Sequence, residues 1–373
     1  MSCTLERLAS TTAGFGPFPT GKSERWRFSQ IGKWLERPFS QASSWHDTAP
    51  EASCDIVVDD GIVVQQRLPE GVRAVPVSGD DAAGHPDNLF ARLNAAHGVA
   101  LGIDVSAGFA GVLQILYRYG AGIRHSRLNV RIDNKARCTL VERFVGAGEG
   151  FVTHHTALTL EPSCHLQHMQ IQDLDPTAAM VGETLSGVAK GAEAEYFYLA
   201  RGAAFHQHFY AVSLAEEATG RMRALLLGRD NQRQVLCTDF DHRKPRSSSD
   251  QLSRQILRGG SVAVFDGKAR IDRGASGSEA LQGTHTLLLS DEAQVHAKPH
   301  LEIYTDDLKA SHGATVGQLD EGAMLYLQSR GIPEAVAREM LIEAFASDLF
   351  ETIGDEALRA QMQAYARSDD AES

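Results

Sequence analysis

The sequence predicts a mainly β protein with a solenoid at its core, and three observations carry that reading. From about residue 98 to 317 one strand pattern follows another: GVLQILYRY, SRLNVRI, CTLVERFV, HTALTLEP, HLQHMQIQDL, AEYFYLARG, FHQHFYAVSL, MRALLLG, QVLCTDFDH, SVAVFDGKARI, THTLLLS and HLEIYTDD. Each is rich in β-branched and aromatic residues with partial period-2 alternation. The connectors are short and rich in Gly, Ala, Asp and Ser, which excludes the long crossover helices of a doubly wound sheet. After residue 319 the period changes from that of strands to that of helices. A sandwich and a closed barrel also accommodate many strands. A barrel rarely absorbs so many without longer loops, however, whereas short strands with tight corners suit a solenoid. No strict repeat is visible.

Three regions follow. Residues 1–97 form a mixed, partly helical region. In it GKSERWRFSQIGKWLERPFS supplies Trp26, Phe28, Ile31, Trp34 and Leu35, a set suited to anchoring a small helical subdomain. CDIVVDDGIVV reads as two short strands joined by Asp60-Gly61, a hairpin signal. FARLNAAHGVALGIDV then predicts a short helix running into a strand. Residues 98–317 are the strand-rich core. Residues 318–373 form a helical domain with Val336, Met340, Leu341, Ala344 and Phe345 at helical spacing. Gly331 ends one helix and Pro333 sits near the first turn of the next. Acidic residues open the helices, in keeping with the macrodipole. SDDAES reads as a solvated tail.

Composition narrows the function classes. The 373 residues carry a net charge of -12, which argues against a nucleic-acid footprint. No run approaches a membrane span, and MSCTLERLAS lacks an apolar signal core, so the expected location is cytoplasmic. Cys3, Cys54, Cys138, Cys164 and Cys237 are scattered, with no CxxC. They read as reduced thiols serving as small apolar residues rather than a disulfide framework or a self-contained cluster site.

Three histidine groupings deserve weighing. His155, His165 and His168 share a neighbourhood, but residues three apart on a strand face opposite ways, so His165 and His168 read as ladder or solvated histidines. His206 and His208 share a face, a geometry able to bind zinc, yet no third ligand is near in sequence. In LEIYTDDLKASHGATVG, Glu302, Asp306, Asp307 and His312 crowd a strand end, where a metal site, an acid–base pair or a simple turn would each fit. No serine elbow, phosphate loop or zincin helix occurs, so an enzyme is not expected. The alternative is a β-solenoid hydrolase or lyase built on those four residues.

KPHLEIYTDDLKASHGATVGQLDEGAMLYLQSRGI, residues 298–332, resembles the C-terminal signature of the SufB/SufD family, scaffold subunits of the SUF iron–sulfur cluster assembly machinery. FPTGKSERWRFS, CTLVERFVG, CHLQHMQI, SVAVFDGKARI and LQGTHTLLLS extend the resemblance over most of the chain, weakest between 170 and 235. The Trp-bearing N-terminal segment and modest length place it on the SufD branch. The resemblance implies a right-handed parallel β-helix between an N-terminal helical region and a C-terminal helical domain. It implies a SufB-like paralogue and a SufC-like ATPase as partners, with a homodimer when the chain is alone. It implies a transient iron–sulfur cluster in the complex, none held stably by the isolated chain, and leaves room for flavin in the assembly. His312 falls on the family's histidine in SHGAT, a ligand for the nascent cluster at the SufB interface. Met324, Leu325, Tyr326, Arg330 and Phe345 fall where the ATPase would dock. Where many relatives carry CSHGA, this chain has Ala310, so no thiolate stands two residues before His312.

Overall fold

The computed structural model describes residues 4–5, 23–39, 44–45, 51–77, 84–85, 87–88, 90–146 and 148–367. Its core is a parallel β-solenoid of about 8 turns, as the strand-rich sequence predicts. From Val99 onward successive strands fall alternately into a nine-stranded and a ten-stranded sheet, and neighbours within each sheet run parallel and in register. The inward side chains of both sheets, among them Leu113, Leu140, Leu166, Met222, Leu226 and Leu236, form one continuous apolar core. No coil could bury that face alone; each does so by stacking on the next.

Tight corners make the stacking possible. Lys135, Ser163, Gly191, Glu217, Arg246 and Gly277 occupy the same corner in successive coils, with φ of 61°, 60°, 63°, 58°, 57° and 70°. Left-handed backbone costs a non-glycine residue about 1 kcal/mol or more, and a hydrogen-bond ladder offsets it. The amide of Ser163 donates to the carbonyl of Lys190 (3.1 Å), Gly191 to Glu216 (3.0 Å), Glu217 to Pro245 (3.1 Å), Arg246 to Ser276 (2.9 Å) and Gly277 to Asp307 (2.7 Å).

The start of the solenoid is closed by antiparallel strands. The expected hairpin joins Ile56–Asp59 to Ile62–Gln66, with positive φ at Asp60 (51°) and Gly61 (89°), as a type I′ turn requires. Ile56–Asp59 also pairs in parallel with Ala110–Tyr119, extending the ten-stranded sheet. Val72–Val75 closes the nine-stranded sheet against Val99–Val105.

The N-terminal aromatic set does not build a subdomain of its own. Among the described residues a 3-10 turn, Glu24–Trp26, and a four-residue helix, α1 (Gly32–Leu35), form there. Such short pieces have no core, so Trp26, Ile31, Trp34, Leu35 and Phe39 bury themselves against Phe151, Phe205, Phe209 and Val235 on the outside of the nine-stranded sheet. The next helix, α2 (Ala91–His97), leads into Val99–Val105 as expected.

The chain then forms α3 (Glu321–Ser329), which packs on α4, and clads the opposite sheet with α4 (Glu334–Phe350) and α5 (Glu356–Arg367). Asp320 caps α3 by accepting from the Ala323 amide at 2.9 Å. The buried stripe of α4 is Ala337, Ile342, Ala346, Leu349 and Phe350, a different side from the set at helical spacing picked out in the sequence. Of that set, Val336 and Met340 are exposed and Phe345 is only partly buried. The helix is apolar on two sides, and the solenoid takes the other one. The tail from 368 lies outside the described residues.

Polar groups also lie inside the solenoid. Glu142, wholly buried, accepts from His154 (3.0 Å), His168 (2.8 Å), Thr156 (3.0 Å) and Gln170 (3.0 Å). Burial opposes its charge, but the two imidazoles outweigh that and hold its pKa below the carboxylate range. His206 bonds Tyr198 Oη, and His208 lies 3.0 Å from Thr184 Oγ1. Burial lowers the pKa of His206 to about 3 and that of His242 to about 4.

Both histidines are thus neutral in the fold, while unfolding returns each to a pKa of about 6.5. The unfolded chain then binds more protons below pH 6.5, so their contribution is whole above it and shrinks as pH falls toward 4. Each should steepen the loss of stability by about 1.4 kcal/mol per pH unit. Urea unfolding from pH 7 to 4.5 should show that slope reduced by one such increment in His206→Gln; an unchanged slope would refute the assignment.

Candidate functional site at the open end of the solenoid

The last strand of the ten-stranded sheet is Leu308–Gly317, paired on one side only, with Ser278–Leu288. Its alternation sets the direction of every side chain. Leu308 and Ala310 pack inward, against Ala269, Ile271, Ala275 and Ala280. Thr315 faces outward, where its hydroxyl meets His285 Nδ1 at 2.7 Å. His312 shares the parity of Ala310 and therefore faces the solenoid's interior. Its register partner Gln282 and the next one back, Gln251, are both buried. His312 itself is exposed, because among the described residues no further coil covers it.

The other acidic residues of the group go elsewhere. Asp306 and Asp307 form the exposed last corner, where the Asp307 carbonyl ends the corner ladder described above. Glu302 lies on Gln294–Ile303, the terminal strand of the other sheet. There it lines a polar cavity of about 420 Å³ with Arg25, Asp266, Lys268 and His300. The structure thus separates Glu302, Asp306, Asp307 and His312. Among the described residues no group of three or more His, Cys, Asp or Glu is placed to hold a metal ion. A larger cavity, about 570 Å³, lies under α4 and α5, away from His312.

The remaining histidines serve the core. His165 and His168 face opposite ways as their spacing requires; His168 is fully buried on Glu142. His155 sits 2.6 Å from Glu183, whose other oxygen accepts the His85 amide at 2.9 Å. His206 and His208, ring centroids 6.2 Å apart, belong to a cluster with Tyr198 and Tyr210. Cys54, Cys138, Cys164 and Cys237 are free and buried, and burial pushes Cys138 up to about 12 and Cys164 to about 11. Cys3 lies outside the described residues.

Sequence reasoning missed two charge clusters. One is the Glu142 site; its only mark is a carboxylate at an inward parity between Leu140 and Phe144. In the other, Arg25 reaches Asp239 at 2.5 Å, which also meets His85 at 2.7 Å and Lys268 at 3.3 Å. Burial disfavours the Asp239 charge, yet the His85 hydrogen bond and the Arg25 charge keep its pKa well below the usual range.

The residues assigned to a partner are on α3 and α4. Leu325 (66% exposed) and Tyr326 (58%) point to solvent, with Arg330 5.2 Å over the Tyr326 ring. Met324 is half-buried. Phe345 instead packs toward the solenoid beneath Arg254, 4.9 Å from its ring. On α4, Val336 and Met340 are exposed as well.

Because the last coil is open, substitutions there should leave the fold intact. His312→Ala and Val316→Lys should each change unfolding free energy by less than about 0.5 kcal/mol, measured by urea denaturation. A large loss from either would mean that this end is covered.

Comparison with known proteins agrees with this geometry. Residues 117–345, more than half of the chain, match the family model described as SUF system FeS cluster assembly, SufBD core domain. The iron-sulfur cluster assembly protein SufD of Escherichia coli K12 is 32% identical over 243 residues, covering 64% of this chain and 57% of that protein. The chloroplastic protein ABCI7 of Arabidopsis thaliana is 32% identical over 251 residues, 64% of this chain and 51% of that one. SufD of Bacillus subtilis is 31% identical over 143 residues, 38% and 33% of the two chains. The chain spans little more than half the length of the first two relatives. With the parallel solenoid and the family match together, the chain belongs to the SufBD family of iron–sulfur cluster assembly proteins.

Proposed function

We propose that this chain is a SufD-like scaffold subunit, acting in the cytoplasm with a SufB-like paralogue and a SufC-like ATPase, and that the partner hydrolyses the ATP. The observation that carries the reading is the inward-facing, uncovered His312 on a strand with one free edge. A next strand from another chain would continue the sheet and close the site around the imidazole. A neutral imidazole is a competent iron ligand, and beside a partner's thiolate it would give a mixed site suited to a cluster that must be passed on. The iron and sulfide are cargo, held only in the assembly.

The exposed apolar side chains of Leu325, Tyr326, Val336 and Met340 support docking of the ATPase through α3 and α4. Burying them would contribute roughly 25 cal/mol per Å² of apolar surface. The solenoid hydrolase or lyase has no such support, since its four residues lie apart. A stand-alone homodimer would use the same free edge.

Anaerobic co-purification of the tagged chain with its SufB- and SufC-like partners, followed by iron and sulfide analysis, tests the reading. The complex should form with wild type and with His312→Ala, and iron should fall severalfold in the variant. Absence of any complex would refute the scaffold role; equal iron in both would remove His312 from the cargo site. Separately, Leu325→Asp with Tyr326→Asp should weaken capture of the ATPase about tenfold or more while leaving the paralogue bound. Undiminished ATPase capture would rule out this face.

A further inference from the structure

The inner wall of the His312 site is a buried amide without partners. Gln282 is the register neighbour of His312 and is only 5% exposed. Among the described residues neither its Oε1 nor its Nε2 has a hydrogen-bond partner. Behind it lies Gln251, its register neighbour on the other side and fully buried, with Nε2 likewise unpaired. Leaving three such atoms unmet in the interior costs about 1–3 kcal/mol for each group. A residue serving only to fill space there would be apolar.

The Thr238 hydroxyl donates to Gln251 Oε1 at 2.5 Å, because a carbonyl oxygen only accepts. Gln251 Oε1 is thereby engaged, while its NH2 and both ends of the Gln282 carboxamide stay without a partner among the described residues. The Gln282 carboxamide is the last buried polar group of this column of register neighbours before His312, and its NH2 is free to donate. Gln282 thus places a free N–H donor in register with the exposed imidazole.

We infer that Gln282 is a second binding residue of the His312 site, donating its carboxamide N–H to an electron-rich sulfur, a sulfide or a thiolate, of the cargo that His312 holds through iron. This rests on the reading of His312 as a cargo ligand. Hydrogen bonds to the sulfurs are one of the levers by which a protein tunes an iron–sulfur centre. A donor at this depth would favour a sulfur-bearing cargo over bare ferrous iron. The neighbours Leu308, Ala310 and Leu301 supply the apolar side.

The test uses the full complex with its SufB- and SufC-like partners, loaded anaerobically with ferrous iron and sulfide. Iron release to a chelator and the sulfide-to-iron charge-transfer absorption are followed in wild type, Gln282→Leu, Gln282→Glu and His312→Ala. Gln282→Leu should release iron about tenfold faster with a shifted absorption band, and Gln282→Glu, which places an acceptor there, should be faster still. The isolated Gln282→Leu chain should melt at or above the wild-type temperature, since it removes unmet buried polar atoms. If His312→Ala loses iron while both Gln282 variants release it at the wild-type rate with an unshifted band, the Gln282 assignment is overturned and the cargo site stands. If His312→Ala keeps its iron, the reading of His312 falls and takes the Gln282 assignment with it. Faster release with an unshifted band and a lowered melting temperature would mark Gln282 as structural only, which also overturns it.

Discussion

Everything in this molecule depends on the rule that each coil must satisfy its backbone on the coil beside it. A parallel, in-register stack does this for every internal strand, but it leaves two ends where amides and carbonyls have no successor. The two ends are treated differently. At the first, the hairpin strand Ile62–Gln66 and the short strand Val72–Val75 close the two sheets by antiparallel pairing. At the last, the described residues supply no closing strand. A fold able to cap one end has left the other bare, and there the histidine of SHGAT faces an interior with no lid.

The cladding on the two sheets sharpens that asymmetry. The apolar cluster of the N-terminal segment reaches Val264 on the nine-stranded sheet, with Phe28 going further to stack on His296 of that sheet's last strand. That of the C-terminal helices reaches Leu287 on the ten-stranded sheet. Neither apolar cluster takes in a residue of the final strands. One interior column runs Leu140, His168, Tyr196, Met222, Gln251, Gln282 and His312. Its last two buried members are amides with unmet polar atoms, and the imidazole beyond them is exposed.

Much of this was legible in the sequence. The strand-rich core, the Asp60-Gly61 hairpin, the helix before Val99 and the helical C-terminus all follow from period and turn chemistry, because those signals are local. The corners explain why no repeat could be seen. Left-handed backbone is held there by a ladder between coils, so Ser163, Glu217 and Arg246 serve as well as glycine and leave no common letter. The helical spacing of the α4 residues was legible, but which side of the helix meets the solenoid was not, because it is apolar on two sides. Glu142 and the Arg25–Asp239 pair were invisible for a related reason: each is stabilised by partners far away in sequence. His312 was singled out by its motif, but that it faces inward follows only from the packing of Ala310, and Gln282 had no signal beyond its parity.

A stack of this kind is nearly one-dimensional, and such structures open from their ends, where a unit has one neighbour instead of two. The coil carrying His312 is therefore the one whose amides exchange most readily with solvent, while those around Glu142 wait for the whole fold to open. A chain that adds the next strand turns this terminal unit into an internal one, and the ordering of the coil becomes part of the binding equilibrium. Assembly and the shaping of the histidine's surroundings are then one event, with the same free energy counted in both.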